Sequence, residues 1–257
     1  EITLEEAAKG VEVELIGIDT LSHDLCSRYP HIAKSHLGIA IDTNQFFDVE
    51  DFVEEYDSRK LNAPLKCGFH YRDSLFNEIC KSIDKNSVTI LTGASGVGKT
   101  RLALEVCRKK KEEYTVYCIL NNGNLLYEDI KYYIDKPGKY LLMLDDANLL
   151  ERIGDILEQL FLKSKGYKIR ILITVRDYAS NAVISKVKRI VSPNPNIVRV
   201  EIFEKEEIRN ILVENLGIKN IDYLDKISEI ANGNARLAYL AGINALNKGY
   251  PSIRNAE

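Results

Sequence analysis

From Asp73 onward the apolar positions fall into two alternating periods. Leu75, Phe76, Ile79, Cys80 and Ile83 recur at helical spacing and lead into the unbroken apolar stretch Val88-Thr89-Ile90-Leu91, which reads as a buried strand. The alternation continues with a β-rich run from Tyr114 to Leu120, a helical pattern from Leu125 to Ile134 and a buried strand from Tyr140 to Leu144. An amphipathic helix from Leu149 to Leu162, a strand from Ile171 to Val175 and a fifth strand from Ile197 to Ile202 follow. Five strands with helices between them predict a three-layer α/β domain. Its sheet should be mainly parallel, because crossover helices cover both faces.

The pattern changes on either side. After Ile202 only helical faces remain: Ile208, Ile211, Leu212 and Leu216, then Leu224, Ile227 and Ile230, then Leu237, Leu240, Ala241 and Ile243, with Gly217 and Gly233 as breaks. This predicts a small all-helical subdomain over residues 203–257. Before residue 61 the signal is mixed. Val11 to Ile18 alternates like a strand, Thr20 to Ser27 reads as a short helix stopped near Pro30, and Phe52 to Tyr56 as another before the Asn62-Ala63-Pro64 break. Residues 1–60 are therefore expected to be the tail of an upstream domain plus a linker, and 61–202 the α/β domain. The chain opens at Glu1 and its one methionine is Met143, so a piece of a longer protein is expected.

Composition narrows the setting. The 257 residues can bury a full core, no apolar run reaches the length of a membrane span, and the N-terminus lacks the blocks of a secretion signal. Five cysteines without a C-x-x-C pair suit a reducing compartment, so the cytoplasm is expected. His23 with Cys26, and His31 with His36, lack metal-site spacing. A net charge of −3 gives no support to a nucleic-acid surface. Two basic runs exist, Arg108 to Lys111 and Lys186 to Arg189; the first closes a helix, where cations complement the dipole.

The strongest chemical signal is Gly93-Ala94-Ser95-Gly96-Val97-Gly98-Lys99-Thr100, set between a strand and a helical pattern. The spacing G-x-x-x-x-G-K-[ST] lets glycine backbone wrap phosphates with its N–H groups at a helix N-terminus. Lys99 would reach the β and γ oxygens, and Thr100 would offer its hydroxyl to Mg²⁺. A nucleoside triphosphate is the expected ligand.

Further groups gain meaning from that loop. The strand Tyr140 to Leu144 ends in Asp145-Asp146, at the sheet edge where a parallel strand delivers its last residues to a ligand. Asp145 would hold Mg²⁺ and Asp146 would orient the attacking water; the same acids could instead cap the next helix. Thr174 and Arg176, closing the strand from Ile171, could sense and neutralise the γ-phosphate. Gly233-Asn234-Ala235-Arg236 opens the last helix: Arg236 could tie that helix to the γ-phosphate, or Asn234 could simply cap it. Phe69-His70-Tyr71-Arg72-Asp73 could border the base and ribose, or pack ordinarily.

Taken in order, these residues resemble the STAND class of P-loop NTPases within the AAA+-like group, which includes the NACHT and NB-ARC signalling proteins. The resemblance covers residues 65 to 247. It departs at Tyr71, where the upstream element usually has Gly, and at Ala235-Arg236, where the lid motif often has Pro after Gly-x. It implies catalytic roles for Lys99, Asp145, Asp146 and Arg176, and a metal site of Thr100 and Asp145. It implies nucleotide contacts from Arg72, Gly93, Ser95, Gly96, Val97, Gly98, Lys99, Thr100, Arg101, Thr174 and Arg236.

The chain is also similar to the NTPase modules of bacterial antiphage STAND proteins. That similarity implies a slow ATPase switch using ATP or ADP with Mg²⁺ and self-associating according to nucleotide. It further implies effector and sensor domains in the same longer protein and an invader-derived protein trigger. Two alternatives use the same loop: a nucleic-acid-dependent AAA+ loader, which DNA-stimulated hydrolysis would mark, and a non-hydrolysing scaffold locked on ADP, which needs only the phosphate loop and the helical lid.

Overall fold

The computed structural model describes residues 16–38, 44–58, 64–65, 68–120, 126–150, 152–163 and 166–248. Of the expected strand over Val11 to Ile18, residues 11–15 lie outside them, Ile16 and Gly17 are in no strand, and Ile18 opens a helix. Helices α1 (Ile18–Arg28) and α2 (Pro30–Leu37) come first, so the helix expected near Thr20 is longer and Pro30 opens a second one. Proline suits a first helical turn, whose N–H would have no partner.

β1 (Phe46–Phe47) and α3 (Val49–Ser58) follow, then α4 (Asp73–Lys85), β2 (Val88–Gly93), α5 (Lys99–Lys110), β3 (Thr115–Ile119) and α6 (Leu126–Tyr133). Next come β4 (Gly138–Leu144), a 3₁₀ turn (Ala147–Leu149), α7 (Ile153–Leu162), β5 (Tyr167–Arg176), α8 (Asp177–Ile190) and β6 (Asn196–Arg199). Helices α9 (Lys205–Leu216), α10 (Ile221–Ala231) and α11 (Ala235–Asn247) close the described chain.

The sheet has six strands, not five, in the order β1-β3-β4-β5-β2-β6. The five expected strands pair in parallel; the sixth is β1, which runs antiparallel to β3 with Phe46 opposite Ile119. Two residues are too short for a period-2 pattern to show. β1 and α3 thus complete the sheet and one of its covering layers, although they lie in the stretch expected to be tail and linker.

Alternating side chains send each strand into two cores. From β4, Tyr140, Leu142 and Leu144 pack with α6, α7 and α8, while Leu141 and Met143 pack with α3, α4 and α5. Helix α8 has no separate sequence signal above, yet Val183 and Val187 seal the first core. The helix expected from Leu149 starts only at Ile153, because Asp146 takes a left-handed turn (φ 45°) and the chain tightens into the 3₁₀ turn first. Helices α9 to α11 form their own apolar cluster around Ile208, Leu212, Ile218 and Ala238. Gly217 and Asn232 end α9 and α10 in left-handed conformations, and Asn220 and Asn234 cap α10 and α11. Among the described residues no helix is long and apolar enough to cross a membrane.

Candidate nucleotide site

The strand order places the chemistry. β5 inserts between β2 and β4, with Leu91 level with Thr174 and Gly93 level with Arg176. The end of β5 therefore stands between the phosphate loop after β2 and the acids after β4. These strands lie far apart in sequence, and only the crossover brings their C-terminal ends together.

The loop has the backbone that phosphate wrapping requires. Gly93, Gly96 and Gly98 all have positive φ, at 151°, 79° and 89°. Gly96 has a second constraint: a Cβ there would lie 2.1 Å from Asn234 Oδ1. Val97 is buried in the core beneath, and Ser95 is exposed at the tip. Lys99 is almost fully buried and donates to the carbonyls of Gly93 at 2.8 Å and Ala94 at 2.7 Å. Burial lowers its pKa, while Asp146 and Asp145 oppose that shift.

Thr100, Thr174, Asp145 and Asp146 form one network. Asp145 Oδ1 accepts the hydroxyls of Thr100 at 2.8 Å and Thr174 at 2.7 Å, and Thr174 Oγ1 in turn accepts the Asp146 amide at 2.9 Å. Burial, and then the Asp146 charge, push the Asp145 carboxyl up to about 6. Thr174 is fully buried, with its hydroxyl engaged by the two acids, so it holds the acids in place beneath the cavity. Arg176 Nη2 pairs with Asp146 Oδ2 at 2.9 Å, and that hydrogen bond raises the guanidinium's pKa.

The helical cluster reaches the loop directly. Asn234 Nδ2 donates to Ser95 O at 3.0 Å and the Arg236 amide to Gly96 O at 3.2 Å, while Asn234 Oδ1 caps α11 through the Leu237 amide. The cap is legible in the sequence; the clasp, which joins residues 139 positions apart, is not.

The upstream element meets the same cluster. Arg72 donates to Glu201 O at 2.6 Å and lies 3.9 Å above the Phe203 ring, and burial lowers its pKa. His70 pairs with Glu214 at 3.0 Å, and the Gly68 amide donates to Asn215 Oδ1 at 3.0 Å. Tyr71, standing where the resemblance has glycine, has φ 59°, a left-handed position that a glycine adopts without strain. Arg101 pairs with Glu105 and lies 5.9 Å from the Phe69 ring centroid. Ser95, Gly96, Gly98, Lys99 and Thr100 of the phosphate loop line one cavity of about 160 Å³ together with Asp146, Arg176, Arg236, Arg72 and Arg101, whereas Gly93, Val97, Asp145 and Thr174 are not among its lining residues.

A family model described as Novel STAND NTPase 3 matches residues 71–217. The chain belongs to this STAND NTPase family. No curated protein matches the sequence.

Among solved structures, the STAND NTPase is similar to Saccharomyces cerevisiae Hsp104 in its ADP complex, with TM-score 0.58 and 11% identity over 80% of this chain and 33% of that one. It is similar to Aeropyrum pernix ORC2 in ADPNP and ADP complexes, with TM-score 0.55 and 17% identity over 83% of this chain and 72% of that one. A third similarity is to Aeropyrum pernix ORC1 in complex with DNA, with TM-score 0.53 and 16% identity over 84% of this chain and 68% of that one. At these identities the likeness is one of fold alone. The STAND NTPase chain spans 41% of the length of the Hsp104 chain in the closed-state reconstruction.

The residues fit a nucleotide with a divalent ion. A glycine cradle, a buried ammonium and the Thr100 and Asp145 oxygens are the donor set such a ligand needs. Among the described residues no three His, Cys, Asp or Glu side chains cluster as a metal cage. A magnesium ion here would take Asp145 and Thr100 from the protein and its other oxygens from phosphate and water. The basic run after the loop is neutralised locally: Arg108 by Glu50 and Glu105, Lys109 by Glu112, Lys110 by Asp84 and Glu113, and Lys111 by Asp48.

Proposed function

We propose that this STAND NTPase is the nucleotide switch of a longer protein. In this reading it binds ATP with Mg²⁺, hydrolyses it slowly, and uses helices α9 to α11 as a lid whose position follows the nucleotide. The observation that carries the reading is the clasp of Asn234 and Arg236 on Ser95 and Gly96. The loop that would wrap the phosphates is also the lid's docking surface, so a change in loop backbone alters the free energy of lid docking. Such a differential contact is what couples a ligand to a conformational equilibrium.

Each side chain has a task in this scheme. Lys99 would exchange its two loop carbonyls for phosphate oxygens. Thr174 holds Asp145 toward Thr100 and fixes the Asp146 amide, while Arg176 holds the Asp146 carboxylate, the group that would orient water. Magnesium, held by Thr100 and Asp145, would supply charge neutralisation on the phosphates. The ADP and ADPNP complexes of the similar structures support an adenine nucleotide. The local pairing of the Arg108 to Lys111 run counts against a nucleic-acid loader.

Nucleotide-dependent self-association, control of an attached effector, an invader-derived protein trigger and a role in antiviral defence complete the proposal, in a cytoplasmic protein. Free Cys26, Cys80, Cys107 and Cys118 suit that compartment. Mass photometry of the full-length protein with ATP, with ADP and without nucleotide tests it. A shift in oligomer size with ATP that Lys99→Ala removes is expected, and an oligomeric state indifferent to nucleotide would overturn the switch.

A further inference from the structure

One residue that lines the cavity has no part in the site described above. It is Tyr56, on α3, 43 positions before Lys99 (99 minus 56). The ring stacks on Phe52, with centroids 5.9 Å apart and planes at 26°, and Phe52 is fully buried in the core.

Helix α3 is held at both ends. At its start Glu50 receives Arg108 Nε and Nη2, both at 3.0 Å, and the preceding β1 is hydrogen-bonded to β3. At its end Asp57, the next residue after Tyr56, accepts the Leu65 amide at 2.7 Å. A side chain on so fixed a base has its reach set by the fold.

The electrostatics around the phenol are specific. Burial, then Asp145, raise its pKa, with Asp146 adding to the rise and Arg236 and Arg176 opposing it; the result is about 12. At neutral pH it is an uncharged O–H. A carboxylate that would hold the metal, a second that would orient water, and guanidiniums that would hold an anion mark the end of the site where the terminal phosphate belongs, since the loop amides cradle the inner ones. A neutral hydroxyl there adds a hydrogen-bond donor for a phosphate oxygen, which only accepts, without adding to the charge of the two arginines.

We propose that Tyr56 is a ligand of the terminal phosphate: its hydroxyl donates to a γ-phosphate oxygen, so that α3, which precedes the phosphate loop, distinguishes a nucleoside triphosphate from a diphosphate. The proposal rests on the nucleotide reading above. It gives β1 and α3 a function beyond packing, because their anchors on β3 and Arg108 aim this hydroxyl.

The test is calorimetric titration of the native chain and Tyr56→Phe with Mg²⁺ and either ADPNP or ADP. Phenylalanine keeps the stack on Phe52 and removes the hydroxyl alone. The expected result is affinity for ADPNP reduced about tenfold with that for ADP unchanged, the loss of one hydrogen bond to a charged group. Equal affinities in the two chains for both nucleotides, or equal losses for both, would overturn it. Binding of neither nucleotide by the native chain would instead remove the nucleotide reading itself, and the proposal with it.

Discussion

Asn234 Nδ2 donates to the carbonyl of Ser95 at 3.0 Å, joining the N-terminus of α11 to the tip of the phosphate loop. The same amide caps α11 through its oxygen, so one side chain fixes the helix start and its docking partner together. Asn234→Ala should therefore lower stability by about 1 kcal/mol through the lost cap. It should also raise hydrogen exchange in α11 more than in β4 or β5. Uniform exchange across the chain would show that the clasp does not hold the helical cluster to the loop.

Gly96→Ala addresses the same contact from the other side. Its Cβ would lie 2.1 Å from Asn234 Oδ1, at a backbone φ of 79° that L side chains rarely adopt. We expect a loss of about 1–3 kcal/mol in thermal or urea melts, together with weaker nucleotide binding. An unchanged melt would mean that α11 shifts off the loop freely.

Asp145 makes the pH dependence of stability run against the usual carboxylate direction. Its folded pKa, about 6, lies above the ordinary 3.8, so the native state holds this proton more tightly than the unfolded state does. Its contribution is favourable below pH 4 and is lost as pH rises through 6, leaving a cost of about 3 kcal/mol at neutral pH. Asp145→Asn keeps an oxygen for the Thr100 and Thr174 hydroxyls and removes that charge. Without nucleotide the variant should melt higher than the native chain at pH 7, with the gap closing toward pH 4, while losing Mg²⁺-dependent nucleotide binding. A gap independent of pH would contradict the assignment.

Tyr71 permits a comparison that isolates backbone strain. With φ at 59°, Tyr71→Gly relieves the left-handed cost while Tyr71→Ala retains it, and both remove the phenol that reaches Glu214 at 3.4 Å. The glycine variant should be the more stable of the two by about 1 kcal/mol in denaturant melts. Equal midpoints would place the strain elsewhere.

Lys99→Ala and Asp146→Asn separate binding from turnover. Loss of the buried ammonium should abolish nucleotide binding in a fluorescence titration. Loss of the Asp146 charge should leave ATP bound but uncleaved, and it also weakens the hold of Arg176, now 2.9 Å from Asp146 Oδ2. Turnover by Asp146→Asn at the native rate would exclude Asp146 from the hydrolytic step.

Much of this was legible in the sequence. Local periodicity gives strands such as Tyr140 to Leu144, because burial on both faces demands unbroken apolar residues. The loop Gly93 to Thr100 is legible because phosphate wrapping needs particular residue types at fixed spacing along one stretch of chain. The breaks at Gly217 and Gly233 are local for the same reason. β1 escaped because two residues carry no period, and the 3₁₀ turn because the left-handed Asp146 leaves no trace in hydrophobic spacing.

What only the tertiary structure decided is adjacency. Insertion of β5 between β2 and β4 sets Thr174 under Asp145, α11 closes on Ser95 and Gly96, and α3 delivers Tyr56 to the cavity. The sequence by itself determined which residues can carry phosphate chemistry, since that depends on side-chain type and short-range spacing. Which of them meet depends on strand order and helix docking, set by the packing of surfaces distant along the chain.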